Sequence, residues 1–425
     1  MSKDPITILT GIKELTDIYS QCIHCGMCLS ACPTYDLTKL ERSSPRGRIK
    51  LIRSVAENKL TVTDIFAYEM NFCLDCQACE TACPAGVKFG TMVEAGRVAV
   101  ENKAIGPRVK SFILKQVMPY RNRIKFAAKI LRFYQQTGLQ KFLRVSGILN
   151  KFFPELAKIE GLAPFIPAEF SDTSIKEINR PAGKTHFTLA FSYGCIMNVL
   201  FPYVNKDTVE LLNKIGGVVI SPSGQTCCGS LNAHNGDFKT AKVLAAKNIA
   251  EFSRYSYDYL ISNSAGCSAF MKEYGELFKN EKLAEQAKIF SSKVKDLVEF
   301  LPETDIFSRF KTYNKNVTYH DACHHVHTQH IYNQPRELLN NIPGLNLIPL
   351  EDSTKCCGSA GIYDVIHYDA SMEILKHKMD NIARTKADIV LTGNPGCLLQ
   401  LTYGVKKFNK NVNVLHTASF LNKII

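Results

Sequence analysis

The sequence predicts a multidomain chain: a small α-helical cysteine-rich domain, a basic helical linker, then a duplicated α/β domain with parallel sheets. Three observations predict it. Two copies of one cysteine run occur early, at residues 22–33 and 73–84. From Asn102 to Pro154 there are twelve Lys and Arg but no Asp or Glu. The remaining cysteines recur at offsets of 128 to 130 residues. With 425 residues there is room for two to four domains. A hydrophobic content of 45% against 21% charged excludes wholesale disorder. The expected boundaries are 1–104, 105–183, 184–310 and 311–425.

The first domain is set by its eight cysteines. Residues 22–33 read C-I-H-C-G-M-C-L-S-A-C-P, and 73–84 read C-L-D-C-Q-A-C-E-T-A-C-P. Both are C-x2-C-x2-C-x3-C-P, the run of bacterial two-cluster ferredoxins. Three closely spaced thiolates can wrap one iron–sulfur cube. The fourth cysteine precedes a proline, which holds it extended and turns its thiol out of the local loop. One [4Fe–4S] cluster is therefore assigned to Cys22, Cys25, Cys28 and Cys83. The other is assigned to Cys73, Cys76, Cys79 and Cys32. Zinc would show pairs of C-x2-C rather than triples. Between the runs, Ile49, Ile52 and Val55 fall at helical intervals, and Val93, Val98 and Val100 lie in a similar stretch. The region resembles the helical ferredoxin domain of succinate dehydrogenase iron–sulfur subunits. Its direct implication is electron wiring.

The linker carries almost all of the formal charge of +13. Two clusters, each a net −2 with its thiolates, lower that to about +9. Lys125, Lys129 and Arg132 share one helical face, with Ile124, Ala128 and Leu131 away from it. Such a helix suits an anionic membrane surface or an acidic partner subunit. A solvated face is the plainer alternative. No nucleic-acid motif accompanies the charge.

The last two domains form a repeat. Cys195, Cys227, Cys228 and Cys267 recur as Cys323, Cys356, Cys357 and Cys397. V-E-L-L-N-K-I-G-G at 209–217 matches R-E-L-L-N-N-I-P-G at 336–344, and C-C-G-S occurs at 227–230 and 356–359. Strands are expected at F-T-L-A-F, V-V-I-S and Y-L-I-S, then at V-T-Y-H, L-N-L-I-P-L and I-V-L-T. Helices such as 239–252 lie between them, the pattern of a parallel sheet. Each cysteine follows a strand, so the thiols should meet where the carboxyl ends of the strands form a crevice. The alternatives are buried structural cysteines or a Cys227–Cys228 disulfide. Around Cys323 stand His320, His324, His325, His327 and His330. They read as solvated loop histidines, with a histidine ligand or zinc as the other reading.

This repeat resembles the cysteine-rich CCG domain of heterodisulfide reductases. That family's motif ends in C-x-x-C, but the first of those positions is Ser264 in one copy and Asn394 in the other. Four cysteines per copy could hold a cubane cluster, a degenerate site, or nothing permanent.

No G-x-G-x-x-G follows a strand and no phosphate-binding P-loop occurs, so neither a dinucleotide nor a nucleotide site is signalled. No nucleophile–base constellation stands out, and no catalytic residue is assigned. The N-terminus lacks an apolar signal core. The uncharged stretch 185–205 is broken by Gly194, Asn198 and Pro202, and reads as strand, loop and helix start rather than a membrane span. The expected location is the cytoplasm, including the cytoplasmic face of the inner membrane.

The order of the two cysteine runs, basic link and two CCG copies resembles the iron–sulfur subunit of bacterial glycolate oxidase. S-P-R-G-R-I-K-L-I at 44–52, S-A-G-C-S-A-F-M-K-E-Y-G at 264–275 and C-C-G-S-A-G-I-Y at 356–363 carry the likeness. The resemblance implies an oxidoreductase subunit that takes electrons from FAD-containing subunits oxidising glycolate and passes them towards the respiratory chain. FAD would sit on those partners only. Subunits of D-lactate and anaerobic glycerol-3-phosphate dehydrogenases share the layout. A heterodisulfide-reductase-like enzyme is a further alternative, weakened by the missing fifth cysteines.

Overall fold

The computed structural model describes residues 15–102 and 108–425, with the backbone alone at 108 and 109. The N-terminal segment read for a signal, the first boundary at 104/105, Lys103 and the Arg108 side chain lie outside the described residues.

The first region is helical. Helices α1 (Pro45–Ala56), α2 (Asp64–Phe72) and α3 (Phe89–Asn102) bury Ile49, Ile52, Phe66, Met70, Met92 and Val93 together. The stretch S-P-R-G-R explains how α1 begins. The Ser44 hydroxyl caps the helix by accepting from the Gly47 N–H, 3.0 Å away, and Pro45 fills the first turn, where no N–H is needed. Arg46 pairs with Glu41. Arg48 is fully buried and donates to Thr34, to the Ser43 carbonyl and to the Glu69 carbonyl. One side chain thereby ties the segment after the first cysteine run to α2.

The linker folds as α4 (Arg121–Gln136), α5 (Leu139–Ser146), α6 (Ile148–Phe152) and α7 (Pro154–Gly161). The inward side of α4 takes in Ile124 and Ala128 but also two members of the basic stripe, while Lys129 stays exposed. Lys125 pairs with Asp172 at 2.8 Å, and Arg132 donates to the Ile166 carbonyl at 2.8 Å. Ile124 and Ala128 are buried beside them. Phe126, Ile130 and Phe133 face solvent instead, at 67%, 55% and 70% exposure.

Each repeat builds a mainly parallel sheet. The first contains β1 (Ile178–Asn179), β2 (Phe187–Ser192), β3 (Gly217–Ile220), β4 (Tyr259–Ser262) and β5 (Val294–Asp296), in the order β1-β3-β2-β4-β5. Only β1 runs antiparallel. The second contains β6 (Asn316–Tyr319), β7 (Asn346–Ile348), β8 (Ile389–Thr392) and β9 (Asn413–His416), in the order β7-β6-β8-β9, all parallel. The six expected strands lie within two residues of their places. The sequence reading missed β1, which falls inside the expected linker, and it missed β5 and β9, which close equivalent edges. The three have only two to four residues each and lack a long apolar run. The two repeats do not stand apart. One apolar core takes Leu189, Phe191 and Leu212 from the first and Val317, Leu391 and Leu421 from the second. Among the described residues, no helix is long and apolar enough to cross a membrane.

A Cβ added at Gly47 would lie 1.8 Å from the Glu41 carbonyl oxygen. Gly47→Ala should therefore force α1 off its start and cost about 1–3 kcal/mol or more. The thermal midpoint and the retained iron of the purified protein measure this. A wild-type midpoint with full iron would contradict it.

Candidate metal and electron-transfer site

The first eight cysteines occupy two small cavities. Cys22, Cys25, Cys28 and Cys83 line one, together with Ile49 and Cys79. Cys32, Cys73, Cys76 and Cys79 line the other. Pro45, Cys79 and Phe89 belong to both, so they form the wall between. Each cavity thus mixes thiols of the two runs: Cys83 and Cys79 of the second run reach the first cavity, and Cys32 of the first run reaches the second. The reversal is local in origin. Cys32 is extended at φ −93° and ψ 112°, and Pro33 opens the helix that leads away. Between the thiols the chain winds through left-handed residues: His24, Gly26, Asp75 and Gln77 all have positive φ. This curls backbone amides towards sulfur. The Asp75 N–H donates to Cys73 Sγ at 3.3 Å.

The donor set fits an iron–sulfur group. Its ligands are thiols, and burial pushes the Cys76 and Cys79 thiols well above the usual range. A thiolate there needs a bound cation. Arg46 and Arg48 line the cavities and bring positive charge to balance an anionic cluster.

The last eight cysteines share a third space. All eight line one cavity of about 320 Å³ between the repeats. They reach it from the carboxyl ends of β2, β3, β4, β6, β7 and β8, as expected for parallel sheets. The glycine of each C-C-G has φ +92°. That turn directs the Gly229 N–H to Cys227 Sγ and the Gly358 N–H to Cys356 Sγ, both at 3.4 Å. A side chain there would be strained in either copy. Cys195 and Cys227 stand 3.4 Å apart, Sγ to Sγ, and both are free thiols, as are Cys227 and Cys228.

The two positions that lack the fifth cysteine have become contacts between the repeats. Asn394 donates to Cys397 Sγ at 3.7 Å and accepts from the Gly266 N–H at 3.3 Å. Beside Ser264, the Ala265 N–H donates to the Gly393 carbonyl. The S-A-G-C and N-P-G-C turns therefore face each other.

The second cysteine run forms one wall of this large cavity. Cys73, Leu74 and Asp75 line it, and Cys76 packs in one apolar cluster with Cys356. Arg97 of α3 fastens the domains. It pairs with Asp75 at 3.2 Å and donates to the carbonyls of Met70, Cys73 and His234. His234 Nδ1 sits 2.7 Å from Glu94 and 3.4 Å from Asp75. Burial opposes a charge on His234, but Asp75 and Glu94 outweigh it and hold its pKa well above the histidine range. Its ring stacks on His324 of the second repeat, at 5.1 Å between centroids. Burial and the His234 charge depress His324 to about 3. The stack is thus one cation on one neutral ring.

The histidines around Cys323 are a correction. His320 and His325 are 1% exposed, and His327 is also buried; only His330 is exposed. Burial and the Lys378 ammonium push His320 well below the usual range. Sequence reasoning missed Asp75, Arg97 and His234. His234 carried a faint signal, standing where the second copy has Tyr363, seven residues after each pair's first cysteine.

Comparison with known proteins agrees in order with these parts. The family model "4Fe-4S dicluster domain" matches residues 18–87. "Glycolate oxidase iron-sulfur subunit, linker region" matches 106–163, and "Cysteine-rich domain" matches 189–272 and 317–402. A probable glycolate oxidase iron-sulfur subunit of Bacillus subtilis is 35% identical over 94% of this chain and 92% of its own. The glycolate oxidase iron-sulfur subunit of Escherichia coli is 31% identical over 91% of each chain. A lactate utilization protein A of Oceanobacillus iheyensis is 31% identical over 54% of this chain and 93% of its own. With the two-cluster cysteine region, the linker and both cysteine-rich repeats matched along nearly its whole length, the chain belongs to the glycolate oxidase iron-sulfur subunit family.

Proposed function

We propose that this chain is the electron-transfer subunit of a flavin-dependent glycolate oxidase complex. It takes electrons from FAD-containing subunits that oxidise glycolate to glyoxylate and delivers them towards the respiratory chain. The observation that carries the reading is the pair of cysteine-lined cavities with a common wall, the second of which adjoins the large cavity lined by the repeat cysteines. Cys22, Cys25, Cys28 and Cys83 would hold one [4Fe–4S] cluster, and Cys32, Cys73, Cys76 and Cys79 the other. When bound, these clusters supply one-electron carriage. The protein's part is to fix their spacing through the crossed cysteines, exclude water, and offset charge with Arg46 and Arg48. The cysteines of both repeats are proposed metal ligands in the cavity beside the second cluster. The boundaries 105–183, 184–310 and 311–425 are kept as one linker and two repeats that share a core, except that β1 at Ile178–Asn179 joins the first repeat's sheet.

Glycolate added to the co-purified complex should raise the electron paramagnetic resonance signal of reduced clusters. The chain alone should respond only to a chemical reductant. The wild-type signal should come from two magnetically coupled clusters, and Cys32→Ser should perturb the second cluster first. Glycolate-driven reduction of the isolated chain, or two uncoupled signals, would sink the reading.

The linker supports a docking role through its outward face. Phe126, Ile130, Phe133, Phe142, Val145 and Phe152 are exposed on α4 to α6. Single exposed hydrophobes are common, but a succession along packed helices marks an interaction surface. The FAD-containing partner is the proposed occupant, because this chain signals no flavin or substrate site of its own. Phe126→Ser with Phe133→Ser should lower co-purification of that partner several-fold, while Lys125→Gln should chiefly loosen α4 from Asp172. Intact co-purification with lost binding to anionic lipid vesicles would assign the face to a membrane instead.

A further inference from the structure

The two repeats are not equivalent. In the second, the ligand atoms of His320, Cys357 and Cys397 all lie within 4.8 Å of one another, and all three residues are buried. In the first, Ser192 stands three residues before Cys195, where His320 stands before Cys323. Among the described residues, none of the first repeat's cysteines joins such a group; its His234 does so only with Asp75 and Glu94 of the ferredoxin region.

The Ser353 backbone is the one polar group that acts on His320 from close by, and no side chain pairs with it. His320 is 1% exposed, and neither ring nitrogen has a hydrogen-bond partner. A buried imidazole with both nitrogens unpaired is costly. It lines the large cavity with Cys357 and Cys397. Cys356 is engaged elsewhere, accepting from the Gly358 N–H and packing with Cys76. Lys378 supplies a second, independent observation. Its side chain is 1% exposed and donates to the Asp352 carbonyl, yet no carboxylate among the described residues lies within ion-pair distance of it. Cys356 and Cys357 are its near electrostatic partners, while the neighbouring thiols and burial hold both cysteines well above their usual range, so a thiolate there calls for a bound cation.

The spacing decides the kind of metal. A tetrahedral ion with sulfur at about 2.3 Å and nitrogen at about 2.0–2.1 Å sets its ligand atoms roughly 3.5–3.8 Å apart. A group held within 4.8 Å suits that with small movements. A cube would need its ligands spread over separate irons. Two thiolates and a neutral imidazole are a borderline-soft donor set, suited to zinc.

We propose that the second repeat alone holds a single divalent ion of the zinc class on His320, Cys357 and Cys397, with its fourth position open to the shared cavity. The proposal rests on the reading that the repeat cysteines are metal ligands, and it names the ligands, the metal class and the repeat.

The test uses the full chain with its ferredoxin iron in place, washed with chelator and titrated with zinc. Zinc and iron are counted on the same samples. The wild type should bind one zinc. His320→Ala should weaken it by more than about 100-fold, beyond the 10–100-fold typical of losing an outer partner. Ser192→Ala and Cys228→Ser should leave it unchanged. Cobalt in place of zinc should give a thiolate charge-transfer band that His320→Ala removes. Should His320→Ala also lose iron, His320→Cys decides: zinc retained supports the site, and zinc absent with iron intact overturns it. A wild type that takes up no zinc while keeping its iron, or equal zinc loss in Cys228→Ser, overturns the proposal and leaves the electron-transfer reading standing. Absent ferredoxin iron would strike that reading instead.

Discussion

A buried thiol cannot ionise without a cation close by, and much of this molecule is arranged around that constraint. Most of the cysteines in the two inner cavities are sealed from water, and burial raises the thiols of Cys76 and Cys79 well above their ordinary range. The fold therefore brings guanidinium and ammonium groups to thiol sites: Arg46 and Arg48 at the small cavities, Arg97 and Lys378 deeper in. Bound metal completes the balance. Removing it leaves cavities whose walls are held by hydrogen bonds to sulfur and whose charges lack their main partner.

Arg97 makes the domains one device. It bonds Asp75, the Cys73 carbonyl and the His234 carbonyl, so the second cysteine loop and the first repeat share a fixed seam. The stacked His234 and His324 extend that seam to the second repeat. Two further bonds, Thr81 to His327 and Thr328 to Gln77, hold the second repeat against the same loop. Electron transfer demands short and constant separations, and this polar seam holds them together with the apolar cluster of Phe72, Leu74, Tyr363 and Ile374.

Duplication gave two similar sheets and one shared core, and then freed each copy to differ at the cavity. Ser192 and His320 occupy one equivalent place, and His234 and Tyr363 another. Asn394, where a fifth cysteine would stand, now bonds Cys397 Sγ and the opposite turn. The apolar face of the linker follows a related logic. Asp172 draws Lys125 and Arg121 inward, and the helix can then present Phe126, Ile130 and Phe133 outward.

The sequence by itself determined what depends on spacing along the chain. The triple cysteines with a following Cys-Pro, the 128 to 130 residue repeat and the main strands were legible because they are local or periodic. So was the arrival of Cys195, Cys227 and Cys267 at one sheet edge, since every parallel strand points the same way. Tertiary structure decided what depends on distant residues meeting. No local pattern says that Arg97 reaches the His234 carbonyl, or that Asp172 draws Lys125 inward while Lys129 of the same stripe stays exposed. Nor does it say that His320 is buried without a partner, rather than solvated in a loop. Periodicity reports which residues share a face. Burial and charge pairing between segments decide which face turns inward, and those are set only when the chain has closed.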